Sequence, residues 1–122
     1  MKIRISSFGY KYNLEVRADR VYSVRRFPNP FGEFPDKNGL DKEVREWLLN
    51  KEEVRDFIDG VVGYNILLKE VDDITARFPS ISIAFGCYGG KHRSVAIAEE
   101  VGRRLREMGF EVEIVHRDLY KD

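Results

Sequence analysis

The segment Gly86-Cys87-Tyr88-Gly89-Gly90-Lys91-His92-Arg93-Ser94 sets a thiol, a hydroxyl, an imidazole and two permanent cations around a pair of glycines. Two chemistries use such a set. In the first, the loop binds an oxyanion, most readily a phosphate. Gly89 and Gly90 let the backbone approach the ligand closely, and Arg93 can grip it through two parallel hydrogen bonds. Ser94 offers a hydroxyl donor, and His92 a donor or a proton carrier. In the second, Cys87 and Arg93 stand with five residues between them, and Gly90 and Ser94 fill the remaining places of a tyrosine-phosphatase loop. A cysteine facing a phosphate cradle at a helix N-terminus has a depressed pKa and attacks phosphorus. That reaction needs a general acid, for which Asp36 in Phe34-Pro35-Asp36 is the candidate. Gly86, however, stands where those phosphatases carry histidine. The third possibility is structural: Cys87 as a small buried apolar residue at a strand end.

Either chemistry needs the loop held between a strand and a helix. Ile81 to Phe85 is an apolar, β-branched run, and Ile97, Val101, Leu105 and Met108 recur at helical spacing after the loop. Strand, glycine turn and helix together aim several N–H groups and a positive helix end at one point. The spacing is not that of a nucleotide-binding phosphate loop, which requires Gly, four residues, Gly-Lys and then Ser or Thr.

Further elements read as follows. Lys2 to Ser6 alternates charged and apolar residues and predicts a half-buried strand running into the aromatic loop Ser7-Phe8-Gly9-Tyr10-Lys11-Tyr12-Asn13. Arg20 to Phe27 predicts a second strand, stopped by Pro28-Asn29-Pro30. Asp41 is the expected N-cap of a first helix. Lys51 to Ile58 predicts a second helix, broken at Gly60 or Gly63, and Tyr64 to Phe78 a third, closed by Pro79. Gly109 is the expected stop of the helix after the loop. Phe110 to Val115 is the last strand, ending in His116-Arg117-Asp118. Arg25, His116 and Arg117, at strand ends, are expected to support the loop, and Tyr10, Lys11 and Tyr12 could stack on a base or sugar. These pieces predict one α/β domain over residues 1–122: a mostly parallel sheet of about four strands flanked by helices, with the site at the carboxyl ends of the strands.

Composition narrows the classes. The chain has 122 residues, 43% apolar and 34% charged, which fits a folded domain with its own core. Lysine plus arginine and aspartate plus glutamate both number 21, so any polyanion site must be a local patch. No run approaches membrane-spanning length and no signal peptide is apparent, so no membrane partner is expected. With Cys87 as the only cysteine, a reducing, cytoplasmic location is expected. Neither metal nor cofactor motifs occur, and none is expected to be bound.

Read together, Ser7 to Tyr12, Val24-Arg25 with Phe27-Pro28-Asn29-Pro30, Gly39-Leu40-Asp41-Lys42, the loop, Ala98-Glu99 and His116-Arg117-Asp118 resemble the carboxy-terminal domain of the RapZ family. These are RNase adaptor proteins, also called YvcJ-type nucleotide-binding proteins. The resemblance runs in order across nearly the whole chain. It implies a fold like a phosphofructokinase subdomain and the sensing of a phosphorylated amino sugar, glucosamine 6-phosphate. It also implies presentation of a small RNA to a ribonuclease, in a homo-oligomer. The phosphate-cradling positions carry over to Cys87, Gly89, Gly90, His92, Arg93 and Ser94, with Tyr88 and Lys91 between them. Ser7, Lys11, Arg25, Asn29, His116 and Arg117 are then supporting residues. The amino-terminal phosphate-loop domain usual in the family is not expected here. Three residues depart from the family pattern: Ser23 for aspartate, Phe31 for histidine, and Tyr88 for threonine. Their place at the sugar end of the ligand predicts that glucosamine 6-phosphate is not the preferred ligand.

Overall fold

Alternation in the first strand decides which way the sheet faces. In the computed structural model, which describes residues 1–121, β1 runs Lys2–Gly9 and buries Ile3, Ile5 and Ser7 while Lys2 and Arg4 stay exposed. The other strands are β2 (Arg20–Ser23), β3 (Ser80–Cys87) and β4 (Glu111–His116). All pair in parallel in the order β2-β3-β1-β4, with Lys2 opposite Ser80 on one side and Glu111 on the other. The expected α/β domain is thus present, with a sheet that is parallel throughout.

Three helices cover one face of this sheet: α1 (Lys42–Leu49), α2 (Glu52–Thr75) and α3 (Arg93–Glu107). Their apolar sides meet Ile3, Ile5, Ile81, Ile83 and Phe85 in a single core. The opposite face carries Lys2, Arg4, Ser6, Ser80, Ser82 and Glu113 and is largely open to solvent. Its polarity makes that tolerable, although parallel sheets are usually covered on both faces. Towards the carboxyl ends of the strands that face is closed by the short 3-10 turn Tyr10–Tyr12, with the Tyr10 ring edge-on to Phe8 at 4.9 Å.

Three expectations are corrected, and a fourth holds in position but not in side-chain chemistry. Gly60 and Gly63 do not break a helix: α2 is continuous for 24 residues, so the second and third helices are one. Each mid-helix glycine costs about 1 kcal/mol relative to alanine, but Val54, Ile58, Val61, Val62 and Asn65 are buried along one side across both. The end of that helix also lies earlier than Pro79: Ala76 turns left-handed at φ 55°, and Asp72 accepts a hydrogen bond from the Phe78 N–H at 2.7 Å. The second strand stops at Ser23, because the chain turns after Val24 to bury Phe27. Asp41 does stand at the N-cap of α1, its carbonyl accepting from the Arg45 N–H at 3.2 Å, but its carboxylate caps no helix N–H; it accepts from the Asn38 N–H at 2.8 Å and tightens the preceding turn. Gly109 does end α3 as expected, with φ +90°.

Candidate functional site

The loop between β3 and α3 is held by backbone contacts from three directions. Gly9, at the end of β1, lies so close beneath it that a Cβ there would sit 2.6 Å from the Gly89 carbonyl carbon. The Lys11 N–H donates to the Tyr88 carbonyl at 3.0 Å, and the Gly39 N–H to the Lys91 carbonyl at 2.7 Å. Gly90 supplies the left-handed turn, at φ +72°. Behind the loop, the Cys87 Sγ lies 3.2 Å from Ser94 Oγ and accepts from the Gly90 N–H at 3.3 Å. Both side chains are buried.

The electrostatics at this helix start are unusual within the fold. The first turns of α1 and α2 carry Glu43 and Glu52-Glu53, which suit a positive helix end. The first turn of α3 has no acidic residue and no side-chain cap; Lys91, His92 and Arg93 stand there instead. Arg93 is only 7% exposed. Its Nη1 donates to the carbonyls of Arg25 at 2.6 Å and Phe27 at 3.1 Å, while its buried Nε has no partner among the described residues. No carboxylate among those residues lies within salt-bridge distance of it. His92 Nε2 is likewise buried and without a partner, and the imidazole lies edge-on to Phe31 at 5.9 Å. Burial pushes the His92 pKa below its ordinary value, against hydrogen bonding to the backbone of Lys37 and Phe34, so the ring is neutral at pH 7.

A cleft of about 390 Å³ opens over these groups, lined by Lys11, Asn29, Phe31, Cys87, Tyr88, Gly89, Lys91, His92 and Arg93. Clefts of about 300–380 Å³ occur elsewhere on the molecule, so volume does not single it out. The convergence of two unpartnered buried nitrogens and an uncapped helix start does. The Asn29 oxygen is taken by the Phe31 N–H at 3.1 Å, leaving its NH₂ for the cleft.

The other predicted residues divide into braces and bystanders. Arg25 contributes its carbonyl, not its charge: the guanidinium stacks on the Tyr10 ring at 3.7 Å and Nε donates to Ser23 Oγ at 3.0 Å. Ser7 and His116 form a buried pair, Ser7 Oγ to Nδ1 at 2.6 Å, with Glu99 3.6 Å from Nε2. Burial lowers the His116 pKa, against the pull of Glu99. Arg117 is turned to Asp118 at 2.7 Å. None of Ser7, Arg25, His116 or Arg117 lines the cleft. Asp36 is exposed and also outside it, so the structure does not bring it to Cys87. The brace that the sequence reading did not assign is Asp118. Fully buried, it accepts from the Gly9 N–H at 2.7 Å and ties the last strand to the floor of the loop. Its place directly after His116-Arg117 was the available signal.

A family model described as the RapZ C-terminal domain matches residues 1–120. The chain belongs to that family. Among curated relatives, a "nucleotide-binding protein" of Ruminiclostridium cellulolyticum is 43% identical over 98% of this chain. Proteins of the same description from Saccharopolyspora erythraea and Caldicellulosiruptor saccharolyticus are 44% and 39% identical over 99% and 100% of it. The chain spans 42% of the length of each of these relatives. Within this RapZ C-terminal domain, Phe31 and Tyr88, two of the three residues expected to depart from the family pattern, fall on the rim of the cleft, where both rings are exposed. Ser23 lies outside the lining and holds Arg25. No helix is long and apolar enough to cross a membrane.

Proposed function

We propose that this domain is a binding or regulatory module for a phosphorylated small molecule, taken up in the cleft above Cys87 to Ser94. The observation that carries this reading is Arg93: a buried guanidinium bonded only to carbonyl oxygens, with no acidic partner among the described residues. A buried charge is costly unless it is paired, and an entering anion supplies the missing partner. The uncapped start of α3 adds N–H donors and a positive helix end at the same point. Lys91 and Lys11 add charge at the mouth, and the Phe31 and Tyr88 rings offer apolar surface to the rest of the ligand.

The cysteine-dependent phosphatase reading is weaker. Asp36 lies away from the cleft, and no other carboxylate lines it. RNA binding on the family pattern draws little support from the charges: of Lys11, Arg25, Lys91, Arg93 and Arg117, Arg25 is stacked, Arg93 is buried and Arg117 is paired.

Calorimetric titration with inorganic phosphate and a panel of hexose phosphates and nucleotides tests the proposal. Binding is expected, and Arg93→Lys should weaken it by about 1.5–3 kcal/mol, the range for a hydrogen bond to a charged group. A thermal melt of the variant separates lost affinity from lost fold, since Arg93 also holds the Arg25 and Phe27 carbonyls. Unchanged affinity in a folded variant removes Arg93 from the site. A clear preference for glucosamine 6-phosphate over the other hexose phosphates would count against the roles given to Phe31 and Tyr88. Aryl-phosphate turnover lost in Cys87→Ser would overturn the non-catalytic reading.

A further inference from the structure

Two aromatic rings stand at the mouth of the anion cleft and take no part in the core. Phe31 is 55% exposed and Tyr88 62%, and neither belongs to the apolar cluster between sheet and helices. Each is nonetheless carried on a braced backbone. Phe31 sits in the short 3-10 turn Pro30–Gly32, which opens on a buried proline, and its N–H is held by Asn29 Oδ1 at 3.1 Å. The Tyr88 carbonyl is held by the Lys11 N–H at 3.0 Å. An exposed ring on a fixed backbone is preorganised for contact, because less freedom is lost when a partner arrives. The stacking expected of Tyr10 and Tyr12 is not available to a ligand. Tyr10 lies edge-on to Phe8 and under the Arg25 guanidinium, and Lys121 Nζ stands 4.7 Å from the centre of the Tyr12 ring. Neither lines the cleft.

The polar groups around the two rings are mostly donors. The carbonyls of Tyr88, Lys91 and His92 already accept from the N–H groups of Lys11, Gly39 and Ala96, and the Asn29 oxygen from that of Phe31. No carboxylate lines the cleft. What remains at the mouth is the Nζ of Lys11 and of Lys91, the Asn29 NH₂ and the Tyr88 hydroxyl. A pyranose brings several hydroxyls, each with a proton to give as well as lone pairs, and most of those protons would find no acceptor here. A planar heteroaromatic ring asks for less. Its faces stack on aromatic side chains, and the lone pairs on its edge suit a rim of N–H donors. We infer that the molecule taken up here is a phosphomonoester whose other half is a flat unsaturated ring, stacked on Phe31 and Tyr88. This rests on the anion-binding reading proposed above and names the ligand class of that same cleft.

Calorimetric titration with phenyl phosphate, cyclohexyl phosphate, glucose 6-phosphate and inorganic phosphate reads the outcome. The first two probes match in size and differ in planarity. Phenyl phosphate is expected to bind at least about tenfold more tightly than either cyclohexyl phosphate or glucose 6-phosphate, as stacking on aromatic side chains would give. Its ring protons should shift upfield in the NMR spectrum on binding. Phe31→Ala and Tyr88→Ala should each weaken phenyl phosphate at least about threefold and leave inorganic phosphate within about twofold of wild type. Both variants should melt with the wild type, since neither ring packs on the core, and Phe31→Trp should restore the affinity that Phe31→Ala loses. Uridine 5′-monophosphate and pyridoxine 5′-phosphate, titrated alongside, separate a nucleotide from a simple ring phosphate as the source of the same chemistry. Phosphate binding with no preference for phenyl over cyclohexyl phosphate overturns this inference and leaves the anion site standing. So does tightest binding of glucose 6-phosphate. Failure of every probe, inorganic phosphate included, overturns both.

Discussion

Gly9→Ala should lower the unfolding free energy by about 2–3 kcal/mol, the upper range for overpacking a tight site, and should weaken anion binding more than tenfold. Gly9 itself sits in ordinary extended backbone, at φ −111°. The added methyl would lie 2.6 Å from the Gly89 carbonyl carbon, 2.8 Å from its oxygen and 2.9 Å from the Gly90 nitrogen. All three are backbone atoms of the loop, and no side chain can rotate away. The loop must lift, and the start of α3 moves with it. Gly89→Ala is the control: its Cβ would meet nothing within 4 Å, so stability should stay within about 0.5 kcal/mol of wild type. Chemical denaturation of both variants checks the contrast. Equal losses would mean that the close approach of β1 to the loop is not what positions it.

Asp118→Asn should cost about 2 kcal/mol at neutral pH, and the cost should disappear in acid. Burial by itself would raise this carboxyl. Hydrogen bonds from Arg117, from Lys121 and from the Gly9 N–H outweigh it and bring the group from 3.8 down to about 2. The folded pKa is thus depressed, so the carboxylate stabilises the fold fully above 3.8. That increment is lost as the pH falls through about 2. The shift of nearly two units corresponds to about 2 kcal/mol. Urea unfolding of wild type and variant at pH 7 and at steps from pH 4 to pH 2 should show the two curves converging. A difference that persists unchanged at pH 2 would mean that the ionised carboxylate is not its source.

The strand, glycine turn and helix of the site were legible because each left a local mark: a β-branched run, paired glycines, and a 3.6-residue stripe. The family's pattern, in order along the chain, carried the rest of the fold. What escaped was decided at a distance. Gly60 and Gly63 read as breakers because local propensity counts against them, and only the buried line from Val54 to Asn65 shows why α2 continues. Arg93 was read as central to the site with its guanidinium free. Its anchoring on carbonyls near Arg25 and Phe27, more than sixty residues earlier, leaves no local trace. Arg25 was placed by its charge when its contribution is a carbonyl. Asp36 was chosen for a sequence likeness, and the fold leaves it in solvent.

The pairing of β1 with β3 and β4 fixes when this molecule can become itself. Of the four strands β1 leaves the ribosome first, yet its neighbours Ser80 to Cys87 and Glu111 to His116 follow much later. The clamp on its last residue is Asp118, 109 positions along the chain. During synthesis Ile3, Ile5 and Phe8 therefore wait without a ladder, and the cleft acquires its floor only when the closing segment arrives. Such a non-local order slows folding and prolongs the exposure of an unpaired apolar strand. A nascent chain stopped before Asp118 would hold every residue that lines the cleft and still lack the tie that sets Gly9 beneath the loop.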